Sequence, residues 1–99
     1  MTRPVSITPA AQADLLEAIA WYVSNRTGLS FDFRLSMDVA LDQIARYPDS
    51  GAKVAPTVRR SLLHRFPYAV YYRLRKERIE IIAVFDTHRH PRRWQHRDR

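Results

Sequence analysis

The hydrophobic residues of this chain change period once, at Pro48-Asp49-Ser50-Gly51, and that change constrains the fold more than any other feature. Before it, apolar side chains recur every three or four residues, the spacing of one helix face. Leu15, Leu16, Ile19, Tyr22 and Val23 form one such stripe; Phe33, Met37, Leu41, Ile44 and Tyr47 form another. After it, they alternate. Tyr68, Val70, Tyr72 and Leu74 stand against Ala69, Tyr71, Arg73 and Arg75, while Ile79, Ile81, Ala83 and Phe85 stand against Glu80, Ile82 and Val84. Alternation marks strands whose two faces differ. Two helices followed by strands make an α+β domain.

Local signals place the ends of these elements. Pro4–Thr8 is short, β-branched and uncharged, and reads as a first strand. Thr8 is placed to cap the first helix, with Pro9 where a missing N–H costs nothing. Gly28 is the expected stop for that helix, and Ser30 the expected cap of the next. A short link between two helices predicts an antiparallel helix hairpin. Beyond the turn cluster, Val58–Phe66, Tyr68–Arg75 and Arg78–Phe85 predict a three-stranded antiparallel meander, with Lys76-Glu77 as a tight turn and the helices packed on one face. The tail, His88–Arg99, contains Pro91 and shows no period. No repeat or linker divides the 99 residues, so a single domain spanning 1–99 is expected.

The chain contains no cysteine, which excludes a disulfide framework, a thiolate nucleophile and a zinc–cysteine site. Its longest apolar stretch, Ala18–Val23, is far short of the roughly 20 residues a membrane span needs. Met1–Ala10 has no apolar core of a signal peptide. A cytoplasmic protein with no membrane partner is the expectation. Charge is distributed unevenly. Residues 57–99 carry twelve Lys/Arg against four acids, a net +8, whereas residues 1–56 carry five against six, a net −1. A field of this kind attracts nucleic acid or an acidic protein.

Little in the sequence is arranged for catalysis. With only Gly28 and Gly51, a glycine-rich phosphate loop is impossible. His88 and His90 are spaced for one face of a strand, but the stretch offers no convincing third ligand, so no metal and no cofactor are expected. Arg59, Arg60 and Arg65, with Arg89, Arg92 and Arg93 in the tail, could clamp phosphates, and His64, His88, His90 or His96 could move a proton. Tyr68, Tyr71 and Tyr72 could stack bases, although tyrosines along a central strand more often pack a core. Of the adjacent aromatics Trp21 and Tyr22, one must point off the buried face of its helix.

As a set these residues resemble the RelE/ParE toxin superfamily. The resemblance lies in Arg65-Phe66-Pro67-Tyr68-Ala69-Val70-Tyr71-Tyr72-Arg73, in Ile79-Glu80-Ile81-Ile82-Ala83-Val84-Phe85, and in Arg89-x-Pro91-x-x-Trp94. It is closer to the ParE branch. It implies a toxin of a type II toxin–antitoxin pair that inhibits DNA gyrase by binding, without chemistry of its own. Its cognate ParD-like antitoxin would be acidic and partly disordered alone, and would form a hetero-oligomer with it. RelE-like members instead cut messenger RNA on the ribosome, commonly with a C-terminal Tyr or His. This chain has no Tyr after Tyr72, which favours the gyrase inhibitor over a ribosome-dependent endoribonuclease. A non-toxic nucleic-acid-binding domain is the third alternative, and the near-neutral helices count against it. Asp86 and His90 depart from ParE-like endings, where His and Asp often stand. On this reading no residue is catalytic. Arg59, Arg60, His88, Arg89, Arg92 and Arg93 are candidates to meet the target. Trp21, Tyr22, Phe33, Arg65, Tyr71 and Arg73 are candidates to meet the antitoxin. Trp94 is expected to anchor the tail.

Overall fold

A computed structural model describes residues 3–88 and 93–98. Eight elements follow in order: β1 (Val5–Ile7), α1 (Pro9–Asn25), α2 (Thr27–Arg46), β2 (Ala52–Ala55), β3 (Val58–Leu62), β4 (Tyr68–Arg75), β5 (Arg78–Asp86) and a 3-10 helix, Arg93–Arg97. The expected three-stranded meander is instead a five-stranded mixed sheet in the order β1-β5-β4-β3-β2. β1 pairs in parallel with β5, and the other pairs are antiparallel. The short strand β2 has only four residues beside a two-residue turn, too few for alternation to announce it. β3 stops at Leu62 rather than Phe66, and the chain turns through Arg65 at φ 74.

The start of α1 follows its sequence signals. Thr8 Oγ1 accepts the Ala11 N–H at 3.2 Å, with Pro9 as first helical residue. Its end does not. The helices break at Arg26, and Gly28 lies in the first turn of α2. Side chains do the work expected of the glycine: Asn25 Nδ2 donates to the Trp21 carbonyl at 2.9 Å, and Thr27 Oγ1 to the Val23 carbonyl at 3.0 Å. With the Arg26 N–H donating to Tyr22, the carbonyls of Trp21, Tyr22 and Val23 find donors without a left-handed residue. Ser30 Oγ then donates to the Thr27 carbonyl instead of capping α2.

The sheet has a core on each face. On the helix side, Tyr22, Phe33, Met37 and Ile44 meet Val70, Tyr72, Ile79, Ile81 and Val84. On the outer side, Val58, Ala69, Tyr71, Ile82, Ala83 and Phe85 pack with Trp94 of the 3-10 helix. The alternation expected along β5 fails at a bulge. Tyr71 pairs with Ala83 and Tyr72 with Ile81, so Ile82 is the extra residue. One extra residue reverses the facing of everything after it. Val84 therefore joins the helix-side core, while Ile82, Ala83 and Phe85 face outward.

The turn after α2 is tied to the sheet by Tyr72. Its hydroxyl accepts the Gly51 N–H at 3.1 Å and donates to the Pro48 carbonyl at 2.8 Å. A Cβ at Gly51 would lie 2.4 Å from that hydroxyl and 2.9 Å from the Arg60 carbonyl. Glycine is required here by close approach, since its φ is not positive.

Candidate partner-binding surfaces

Several large apolar side chains of the helix pair are exposed. Trp21 is 41% exposed on one flank of α1 and Leu16 and Val23 are exposed on another, while Phe31, Leu35 and Val39 project from α2 at four-residue intervals. Leu16, Val23 and Tyr47, expected in the buried stripes, lie outside. Burial on these helices is carried instead by the small residues Ala11, Ala18 and Ala40, with Tyr22, Phe33, Met37 and Ile44. Small residues let the helices approach the sheet closely, and the bulky ones beside them are turned outward. Tyr22 and Phe33, candidate partner contacts in the sequence, are 6% and 0% exposed. They stack at 5.1 Å, with the Phe66 ring edge-on to both. Trp21 stands against Tyr22 at 5.0 Å, so a rigid aromatic cluster supports the exposed indole.

A groove beside Trp21 runs between α1, the ends of β4 and β5, and the 3-10 helix. Glu17, Tyr68, Asp86 and Arg97 are among its lining. Burial first, and the Asp86 charge second, raise the Tyr22 phenol above its ordinary pKa. Asp14 on its wall accepts the Val84 N–H at 3.0 Å and pairs with Arg97, whose guanidinium lies 4.7 Å above the Phe85 ring. Arg73 makes the matching contact on the outer face. It holds Glu80 at 2.6 Å and Asp98 at 3.1 Å, and Asp98 also accepts from Thr57. Burial alone would lower the Arg73 pKa; the hydrogen bonds it donates to Glu80 and Asp98 more than reverse that and raise it. Arg73 is thus a buried clamp. Tyr71, 2% exposed, stacks on Trp94 at 5.6 Å and 17°.

The remaining basic candidates separate. Arg59 Nη1 donates to the carbonyls of Asp49 and Gly51, so it braces the turn. Arg60 is half-buried, and Arg65 and His88 are exposed. Arg89, His90 and Arg92 lie outside the described residues, as does the Arg93 side chain. Tyr71 and Tyr72 are buried, so neither offers an open face for base stacking, and Tyr68 is half-buried. Among the described residues no three His, Cys, Asp or Glu side chains gather as metal ligands, and no helix is long and apolar enough to cross a membrane. The clamps Asp14–Arg97 and Arg73–Asp98 join residues 83 and 25 positions apart. No local pattern could have announced them.

A family model described as "ParE toxin of type II toxin-antitoxin system, parDE" matches residues 5–91. A solved structure described as the chromosomal ParDE TA system from P. aeruginosa is similar at TM-score 0.74 and 20% identity. That match covers 86% of this chain and 96% of the other, and at such identity it is a likeness of fold. No curated protein matches significantly.

Proposed function

The chain belongs to the ParE toxin family of type II toxin–antitoxin systems, and from that membership we propose that it inhibits DNA gyrase by binding and is neutralised by a cognate antitoxin. The observation that carries the reading is the exposed apolar surface of the helix pair on a chain whose other half is cationic. Exposed apolar surface of this kind marks an interaction site. An acidic segment, disordered alone, fits both features: it folds as an amphipathic helix over Trp21, Leu35 and Val39, and its acids meet the positive field. Trp21 is the natural anchor. Tyr22 and Phe33 support it from beneath, and the exposed Arg65 would meet the acids of the segment. Tyr71 and Arg73 act at one remove, through the tail they hold.

The ion pairs Asp14–Arg97 and Glu80–Arg73–Asp98 are committed to pinning the tail. Binding, rather than acid–base chemistry, is what this arrangement supports. The target surface would combine Arg60 and His88 with Arg89, Arg92 and Arg93. The test is a gyrase assay with purified toxin. DNA cleavage complexes should accumulate, and added antitoxin should prevent them. Cuts in the ribosomal A site, with gyrase unaffected, would instead establish the messenger-RNA endonuclease.

A further inference from the structure

The β4–β5 hairpin ends on three cations that the fold does not need. Arg75 and Arg78 stand directly opposite one another in the antiparallel register, joined by the two-residue turn Lys76-Glu77. All four residues are exposed, and Lys76 sits at φ 52. A turn this tight favours Asn-Gly or similar residues, and like charges facing each other oppose strand pairing. Two local rules are broken within four residues, and such breaks point to a use outside the fold.

Glu77 in the turn offsets only one of the three cations, and the next acid along β5 is already engaged. Glu80 reaches Arg78 only at 3.9 Å, because Arg73 holds it at 2.6 Å. Arg75 and Lys76 have no ion pair among the described residues. The tip also projects. The last β3 pair is Arg59 with Tyr72, and β1 begins at Val5 with Ile79, so the Arg75–Arg78 pair and its turn extend beyond both paired neighbours.

We propose that this tip grips the phosphate backbone of duplex DNA. Two guanidinium forks and an ammonium can take phosphate oxygens, contacts that need charge and no apolar anchor. An acidic peptide would need such anchors. Here Pro4 and Leu74 are the apolar residues lining the shallow tip, and Trp21, the anchor assigned to the antitoxin, lies by the Tyr68 end of β4, roughly 23 Å away at strand rise. The major groove of B-form DNA, about 12 Å wide, admits a two-stranded ribbon. The narrow major groove of A-form RNA does not. This inference stands apart from the gyrase reading: DNA binding is measured on the free chain, so a chain that binds DNA yet spares gyrase fails that reading and not this one.

The test is fluorescence anisotropy of a labelled DNA duplex with the full chain between 50 and 200 mM salt. Arg75→Ala/Lys76→Ala/Arg78→Ala should weaken binding at least about tenfold and flatten the slope of log K against log salt by about 2–3, near 0.9 per lost phosphate contact. A charge-matched control, Arg34→Ala/Arg46→Ala/Lys53→Ala, should leave the slope nearly unchanged. Thermal melts should show the tip variant as stable as the parent, since a like-charge pair has been removed. Equal losses in both variants would reduce the effect to a diffuse field and overturn the site. Equal affinity for an A-form RNA duplex would overturn the groove argument. Loss of antitoxin binding alone would assign the tip to an acidic peptide.

Discussion

Single residues in this protein often carry roles that their chemical type does not reveal. Tyr72 alternates like a strand residue, and its packing against the helices was legible from that alternation. That its hydroxyl fastens the turn at Pro48 and Gly51 was not, because the contact spans 24 positions. Burial foremost raises its pKa, against the opposing pull of the Gly51 N–H and the Arg59 charge. Tyr22 is shifted the same way. In each case the folded pKa exceeds the unfolded value of 10.0. Their contribution is therefore fully present below pH 10 and is lost as pH rises through the folded values. Denaturant titrations should show stability falling on the alkaline side of pH 10. Tyr72→Phe should lower stability at pH 7 by about 1–3 kcal/mol, since it leaves the Gly51 N–H and Pro48 carbonyl unmatched, and should flatten the alkaline limb. An unchanged limb would mean that Tyr72 is not the group responsible.

At the scale of elements, the helix pair shows why periodicity is an incomplete guide. The stripes Leu15–Val23 and Phe33–Tyr47 located both helices, yet they put Leu16, Val23 and Tyr47 on the wrong side. The sequence rule counts bulk, whereas close packing on the sheet selected Ala11, Ala18 and Ala40. The residues turned outward are the ones available to a partner. Trp21→Glu with Leu35→Glu should weaken antitoxin binding by at least about tenfold, as expected for a lost aromatic anchor. The melting temperature should barely move, because both positions are exposed. Calorimetric titration with the antitoxin segment measures the first effect and a thermal melt the second. Retained affinity would place the antitoxin elsewhere. The strands teach a similar lesson. Two of the sheet's neighbours were invisible: β2 is too short to alternate, and the parallel β1–β5 pairing joins residues over 70 positions apart. The β5 bulge was equally hidden, since Ile82 and Ala83 are both acceptable on either face.

Across the molecule, among the described residues, the outer sheet face is covered chiefly by the 3-10 helix. Tyr71, Phe85 and Ile82 would meet water were it not for Trp94, and the segment bearing Trp94 is held by Asp14 from the helix side and Arg73 from the sheet. The burial of Trp94 against the sheet was legible because an aromatic in a charged, aperiodic tail has one economical place to go. The carboxylate and guanidinium that lock it were not, since every one of them reads as surface charge in the sequence. These two classes of tail residue should separate experimentally. Trp94, 7% exposed and stacked on Tyr71, cannot be truncated without opening the outer core. Trp94→Ala should therefore cost on the order of 3–5 kcal/mol and lower the melting temperature markedly. Arg89, Arg92 and Arg93 place three permanent charges within five residues around Pro91, which restricts the backbone. An exposed charge typically contributes under about 1 kcal/mol to stability, while the fixed positive field of three arginines is what a target surface would feel. Replacing all three by Ala should leave the melting curve in place and abolish growth arrest. Toxicity fully retained in the triple-arginine variant would show that the target binds elsewhere on the molecule, and an unchanged melt of Trp94→Ala would show that the outer core closes without the tail.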